Sequence, residues 1–206
     1  MENNHYEQTI ETYRNNFDKY LQKTVSEPGG EPKAWMDNFL NQLTLGSKIL
    51  EIGSASGRDA RYFVKKGYSV VCTDIIPQAL ERLSKEGFST FEFDFRDEPR
   101  QDWINNFDGF FANGVLLHAS LEVFKKMINN ISVILKDQGF AALSLKAGEG
   151  EEITTEKMDD PRYFYYYNEE LLKDIFKNSM FEIIDMRRGR DEKWLYLIIK
   201  NKKLKT

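Results

Sequence analysis

Cysteine and histidine are scarce: the 206-residue chain holds one cysteine, Cys72, and two histidines. A lone cysteine excludes an internal disulfide, and these three residues fall short of a Cys/His zinc site of four ligands, so no metal is expected. Thirteen glycines and five prolines are too few for a collagen-like or linker-like chain. No apolar run approaches the ~18 residues that suggest a membrane span. The opening MENNHYEQTI also lacks the basic-then-apolar order of a secretory signal. An excess of basic charge is missing too, with 33 acidic against 29 basic residues and a net charge of −4. A protein whose task is gripping phosphate backbones carries a basic footprint. Here the only such run, Lys200 to Thr206, reads as a solvated end. The expectation is a soluble, cytoplasmic, single-domain protein with no membrane and no nucleic-acid partner.

What is present is aromatic. Fifteen Phe, ten Tyr and three Trp, within 41% hydrophobic residues, can build a sizeable core and still leave rings for a pocket. Tyr6, Ile10, Tyr13, Phe17, Tyr20 and Leu21 recur at helical spacing and predict a helix over the first 22 residues. Pro28, Gly29, Gly30 and Pro32 interrupt it, and a second helix is predicted over 33–44. Strand and helix patterns then alternate: strands at 48–52, 68–73, 88–93, 108–112 and 139–145, helices at 58–66, 77–87, 99–106 and 120–135. Lys146 to Arg162 is polar and acidic without a period, and reads as a long loop of the kind that carries function. A helix over 169–178, capped by Asn168, and a hairpin of 180–187 with 193–199 close the chain. The alternation predicts an α/β fold: a seven-stranded, mostly parallel sheet with an antiparallel last strand, helices on both faces and an N-terminal helical extension. One domain is expected over 1–206, with a cap or lid (1–44), a core (45–145) and a substrate side (146–206).

In such sheets ligands bind beyond the carboxyl ends of the strands. That rule singles out Glu51-Ile52-Gly53-Ser54-Ala55-Ser56-Gly57, where small residues let a ligand approach the backbone. A phosphate loop would need Lys-Ser/Thr after Gly57, and the chain has Arg58-Asp59. A dinucleotide fingerprint would need glycines at 53, 55 and 58, where Gly53, Ala55 and Arg58 stand. Glu51 is ill placed for a pyrophosphate and suits a cationic or amine-bearing ligand. Asp74, ending the second strand, can accept hydrogen bonds from a ribose diol or cap the helix opened by Pro77. Asp94, between Phe93 and Phe95, can accept from an adenine amino group or serve as a turn acid.

These residues carry a resemblance. Ile49 to Gly57 resembles motif I of the class I S-adenosylmethionine-dependent methyltransferases, and Val71-Cys72-Thr73-Asp74 their second motif. Phe93-Asp94-Phe95 is similar to the third, and Phe107 to His118 to the fourth, in order across about residues 45–145. One departure is Ala55, which replaces the middle glycine of the acid-x-Gly-x-Gly-x-Gly pattern. The resemblance implies a Rossmann-like fold with S-adenosylmethionine as cofactor and S-adenosylhomocysteine as product. It further implies that Glu51, Gly53, Ser54, Ala55, Gly57 and Arg58 surround the methionine portion, and that Asp74 takes the ribose hydroxyls. Ile75, Asp94 and Phe95 would then meet the adenine, with Asn113, Gly114 and Val115 on the sulfonium side.

Beyond the core, Leu116-Leu117-His118, Gly148-Glu149-Gly150-Glu151 and the aromatic run Arg162 to Tyr167 resemble small bacterial-type methyltransferases. His118 lies where the methyl group should point. It is the candidate base near neutral pH, or else a helix cap or a liner of the adenine site. Tyr13, Tyr20, His118, Lys146, Glu149, Tyr165 and Tyr166 are the candidate substrate residues, with core packing as the alternative for the tyrosines. Tyr13 and Tyr20 also suit a lid, and Cys72 suits the core. The function expected is methyl transfer to a small molecule by in-line displacement. Methylation of tRNA or another nucleic acid is the alternative, because Arg162 to Tyr165 resembles the tail of tRNA wobble-uridine methyltransferases. A non-catalytic partner or sensor that only binds the cofactor is another.

Overall fold

The computed structural model describes residues 2–156 and 158–202, with side chains from residue 5 onward. Three helices come first: α1 (Glu2–Asn15), α2 (Phe17–Lys23) and α3 (Gly30–Leu40). Five strands and the helices between them follow: β1 (Lys48–Ile52), α4 (Arg58–Lys65), β2 (Ser69–Asp74), α5 (Pro77–Lys85), β3 (Ser89–Glu92), β4 (Phe107–Asn113), α6 (Leu121–Ile134) and β5 (Leu135–Ala147). The chain closes with β6 (Glu151–Thr154), β7 (Arg162–Tyr167), α7 (Glu169–Lys177), β8 (Phe181–Arg188) and β9 (Trp194–Asn201).

The first five strands are parallel in the order β3-β2-β1-β4-β5. β9 runs antiparallel to β5, and β8 antiparallel to β9. The central strands are near-continuous apolar runs because both of their faces are covered. Ile49, Phe111 and Cys72 turn to α3 and α4, where Trp35, Phe39 and Phe63 close one core cluster. Leu50, Phe110 and Leu197 turn to the other face and pack with Phe124 and Ile131 of α6. The expected Rossmann-like sheet, with its antiparallel last strand, is this assembly, and Cys72 is buried within it.

Several boundaries differ from those expected. The stretch 146–162 is not a single loop, because β6 and β7 form an antiparallel hairpin. The last two residues of β5, Lys146 and Ala147, pair in parallel with Tyr166 and Tyr167 of β7, so nine strands among the described residues replace the expected seven. β6 escaped notice because it is a polar edge strand, and the polar side chains of an edge leave no apolar alternation. The N-terminal stripe is two helices that break at Asn16. α3 starts at Gly30, three residues early, because Pro32 is tolerated in a first turn whose amides need no partner. Only Gln101–Trp103 is helical within 99–106, as a single 3-10 turn. Part of the basic tail belongs to β9, where Asn201 is buried and donates to the Ser132 carbonyl at 2.9 Å. Lys203 to Thr206 lie outside the described residues.

Candidate functional site

After β1 the chain turns with three left-handed residues at alternate positions, Gly53 (φ +68°), Ala55 (φ +43°) and Gly57 (φ +74°). A Cβ on Gly53 would stand 2.4 Å from Val115 Cγ2, so glycine alone lets this turn touch the loop after β4. Ala55 occupies its left-handed conformation at a cost of about 1–2 kcal/mol. The turn is fixed from β2. The Ser54 amide donates to the Thr73 carbonyl at 2.9 Å, and the Ala55 amide to Asp74 Oδ2 at 2.8 Å. Asp74 Oδ1 accepts from the Ile76 amide at 2.9 Å. Asp74 therefore holds both the turn and the start of α5, and each of its oxygens keeps a second acceptor position. Burial pushes its carboxyl up to about 6, against the opposing pull of the Ile76, Ala55 and Ile75 amides. Beneath the turn, Glu51 is 2% exposed and its Oε2 has no hydrogen-bond partner. Burial, and then the nearby Asp59 carboxylate, raises Glu51 to about 8.

Two cavities open at this end of the sheet. The first encloses about 740 Å³ and is partly open to solvent. Its floor is Ile52, Gly53, Ala55, Asp74, Ile75, Ile76, Phe93, Phe95, Asn113, Gly114 and Val115. Its roof is Tyr6, Thr9, Ile10, Tyr13, Phe17 and Tyr20 from α1 and α2. The second cavity, of about 1110 Å³, is lined by Arg58, Lys146, Arg162, Phe164, Tyr166, Trp194 and Tyr196 among others. Alternation along β7 sends Arg162, Phe164 and Tyr166 into it and turns the tyrosines between them to the other face. Tyr13, Tyr20, Asn113, Gly114 and His118 line both cavities and form the wall where the two meet.

That wall is held by a polar chain. Asp59 accepts from Arg58 Nε at 2.5 Å and Nη2 at 2.9 Å, and from Asn113 Nδ2 at 2.8 Å. Ser144 Oγ donates to Asn113 Oδ1 at 2.7 Å and accepts from the Gly114 amide at 2.8 Å. His118 Nδ1 lies 2.7 Å from the Tyr163 carbonyl, which can only accept, so Nδ1 carries the proton. Nε2 is then an acceptor and takes the Tyr13 hydroxyl proton at 3.1 Å. Arg162 Nη1 donates to the same hydroxyl at 3.1 Å. Burial first, together with the Arg162 charge, lowers His118 to about 4.

The profile of the methyltransferase domain family matches residues 50–141. Residues 50–141 thus carry the sequence pattern of a methyltransferase domain. No curated protein matches it in sequence. Among solved structures, the Burkholderia thailandensis 1,6-didemethyltoxoflavin-N1-methyltransferase, crystallised with 1,6-didemethyltoxoflavin and S-adenosylhomocysteine, is similar. It is 17% identical with a TM-score of 0.71, over 96% of this chain and 87% of that one. A Methanosarcina mazei S-adenosylmethionine-dependent methyltransferase is 18% identical with a TM-score of 0.68, over 80% of this chain and 97% of that one. A Rhodobacter sphaeroides protein provisionally described as a Zn-dependent alcohol dehydrogenase reaches a TM-score of 0.75 at 10% identity, over 95% of this chain and 99% of that one. At these identities the likeness is one of fold. Among the described residues no group of three His, Cys, Asp or Glu side chains is gathered as metal ligands would be.

The first cavity suits the chemistry of S-adenosylmethionine. Ile75, Phe93, Phe95 and Val115 offer an apolar slot for a flat base, and Asp74 two spare acceptor positions. Glu51 supplies an unpartnered carboxylate one residue behind the wall. Of the candidate cofactor residues, Gly53, Ala55, Asp74, Ile75, Phe95, Asn113, Gly114 and Val115 line this cavity. Ser54 and Gly57 serve the turn behind it: the Gly57 amide donates to the Ser54 carbonyl at 2.7 Å. Arg58 was expected there too, but it lines the second cavity, paired with Asp59. Asp94 is filled rather than open to an adenine. Its Oδ1 accepts from Tyr6 Oη at 3.1 Å and the Arg96 amide at 2.9 Å, and its Oδ2 from Arg96 Nε at 2.9 Å and Nη2 at 2.6 Å. Tyr13, Tyr20, His118, Lys146 and Tyr166 line the second cavity, whereas Glu149 and Tyr165 lie outside both. Glu149 is exposed and accepts from Asn168 Nδ2 at 3.1 Å, and the Tyr165 ring packs 5.0 Å from that of Tyr167.

The first cavity is roofed by a latched pair of helices. The Arg96 guanidinium lies 3.9 Å over the Tyr6 ring and pairs with Glu7 of α1 at 2.8 Å as well as with Asp94. Thr12 Oγ1 donates to the Pro161 carbonyl at 2.7 Å, and the Tyr163 amide donates to Thr9 Oγ1 at 2.9 Å. Neither Arg96 nor Asp59 was singled out in the sequence, since an Arg two residues past a turn acid and an Asp in a first helical turn are commonplace. Arg96→Ala removes the ion pair and the ring contact that tie α1 to the segment after β3, leaving the Tyr6 hydroxyl bond to Asp94. S-adenosylhomocysteine should then dissociate about tenfold faster, equivalent to ~1.4 kcal/mol, with quicker proteolytic cutting between α2 and α3. Unchanged release in stopped-flow measurements would show that the latch does not govern the roof.

Proposed function

We propose that this protein transfers a methyl group from S-adenosylmethionine to a small-molecule acceptor seated in the second cavity, in the cytoplasm. The observation that supports this reading is the shared wall of Tyr13, Tyr20, Asn113, Gly114 and His118 between two cavities. When bound, the cofactor supplies a methyl carbon activated by a positively charged sulfur. Glu51 would receive its ammonium group, Asp74 its ribose hydroxyls, and Ile75, Phe93 and Phe95 would enclose its base. Asn113, Gly114 and Val115 would hold its sulfonium side, facing an acceptor in the second cavity. Holding both partners in line, with water excluded under α1 and α2, contributes up to ~7–11 kcal/mol in the best cases.

His118 acts here as a positioning residue. At a pKa of about 4 it is neutral at physiological pH and a weak base. Its Nε2 holds the Tyr13 hydroxyl against the wall, and an acceptor that is already anionic, or an unprotonated amine, needs no base. Two observations weigh against the other readings. The run Arg162 to Tyr165, the basis of the nucleic-acid alternative, lies in β7 with Arg162, Tyr163 and Phe164 buried and Tyr165 half-buried. Ala55, the basis of the non-catalytic alternative, is accommodated in the turn with its amide bonded to Asp74. The test is calorimetric titration with S-adenosylhomocysteine, with NADH as control. Micromolar binding of the first alone is expected; no binding by folded protein would hand the chain to the non-catalytic reading.

A further inference from the structure

The second cavity, which Glu156 also lines, holds two cations with no carboxylate at ion-pair distance among the described residues. Arg162 is 6% exposed, yet its guanidinium meets no carboxylate among the described residues. Nη1 donates to the Tyr13 hydroxyl and Nη2 to the Glu156 carbonyl oxygen, while Nε has no partner. Lys146, half-buried on the same wall, has its ammonium 4.5 Å from the centre of the Trp194 ring and again no carboxylate at ion-pair distance among the described residues. Burial, and then the Lys193 charge, lowers the Lys146 pKa against the weaker pull of Asp191 and Glu156. Arg58, the third cation of this cavity, is already neutralised by Asp59. A buried cation is ordinarily paired, because desolvating it without a partner costs several kcal/mol. The walls around these two are flat: Phe164, Tyr166, Trp194 and Tyr196.

We infer that the methyl acceptor is an organic anion with a planar ring, its carboxylate received by Arg162 and Lys146 and its ring stacked among the aromatic walls. This rests on the methyltransferase reading for the word acceptor, but the anion site itself stands on the side chains alone. Two cations without an ion pair fit a carboxylate on a small molecule, whereas a polyanion would need the basic surface that a chain of net charge −4 lacks. Arg162 also grips Tyr13 of the roof, so filling the anion site bears on closure over the cofactor.

The test is calorimetry on the full chain, with and without S-adenosylhomocysteine, using four probes: 4-hydroxybenzoate, its neutral isostere 4-hydroxybenzamide, cyclohexanecarboxylate and an RNA stem-loop. 4-Hydroxybenzoate should bind at least about tenfold tighter than the amide, and tighter than the non-planar acid. Lys146→Met should erase most of that difference while leaving S-adenosylhomocysteine affinity as it was, since Lys146 is outside the cofactor cavity. Arg162→Gln should erase it too. Equal or tighter binding of the amide overturns the inference. So does a carboxylate preference that survives both substitutions, or RNA binding of steep salt dependence with no carboxylate binding. A carboxylate preference in protein that fails to bind S-adenosylhomocysteine would uphold the anion site and overturn the methyltransferase reading instead.

Discussion

Glu51→Gln is expected to raise the stability of the ligand-free protein and to weaken S-adenosylhomocysteine binding about a hundredfold. Both effects have one cause. The wild-type carboxyl is buried without a partner on Oε2, and its folded pKa of about 8 lies above the ordinary carboxylate value. The folded chain therefore holds this proton more tightly than the unfolded chain does. Glu51 favours folding fully only below about pH 4.5, and that contribution is lost as pH rises through 8. A glutamine carries no charge to desolvate. The stability gap between variant and wild type should be small near pH 4.5 and reach on the order of 3 kcal/mol by pH 8. Melting temperatures across that range check it. The ligand's ammonium reverses the balance, since it is the partner the carboxylate lacks. Losing one member of a buried ion pair costs roughly 3–5 kcal/mol, and a residual hydrogen bond from Gln returns part of it. Wild-type binding near pH 7 should also release a proton, read as a binding enthalpy that varies with buffer, and the variant should release none. Equal affinity of the two proteins would mean that Glu51 does not meet the ligand.

The parts of this site that could be read from sequence are those whose local pattern has one cause. β1 and β2 are apolar runs because both faces are buried, and the small residues from Gly53 to Gly57 stand out between a strand and a helix. Asn168 caps α7 as its position suggested, accepting from the Leu171 amide at 2.8 Å. Asp74 admitted two readings, and both fit the structure because a carboxylate has four acceptor positions and the backbone uses two. What stayed hidden depends on partners far apart in the chain. Asp94 looks like an open acid until Arg96 and, 88 residues away, Tyr6 fill it. Tyr165 and Tyr166 look equivalent within an aromatic run, and only the strand assignment of β7 puts them on opposite faces. The same period of two would have brought out Arg162, a lone cation sharing one strand face with Phe164 and Tyr166. Reading 146–162 as a loop removed that period from view.

Gly53→Ala should cost roughly 2–4 kcal/mol of stability and more than tenfold in S-adenosylhomocysteine affinity. Two penalties combine in the first figure. A residue with a Cβ at φ +68° bears about 1–2 kcal/mol of left-handed strain. The new methyl would also lie 2.4 Å from Val115 Cγ2 and 3.2 Å from its Cγ1. Valine is stiff about χ1, so turning both methyls away is disfavoured, and such overpacking costs about 1–3 kcal/mol. Relief requires the turn after β1 or the loop after β4 to move. Both line the cofactor cavity, so the movement reaches the ligand as well as the fold. The double variant Gly53→Ala with Val115→Ala separates the terms. It removes the clash and leaves the backbone strain, so it should regain part of the stability and most of the affinity relative to Gly53→Ala. Neighbours in contact couple by about 0.5–3 kcal/mol in such a cycle, and denaturant melts with calorimetry on all four proteins measure it. If the two substitutions are additive, the close approach of Gly53 to Val115 is not what demands glycine here, and the strain at φ +68° would be its whole reason.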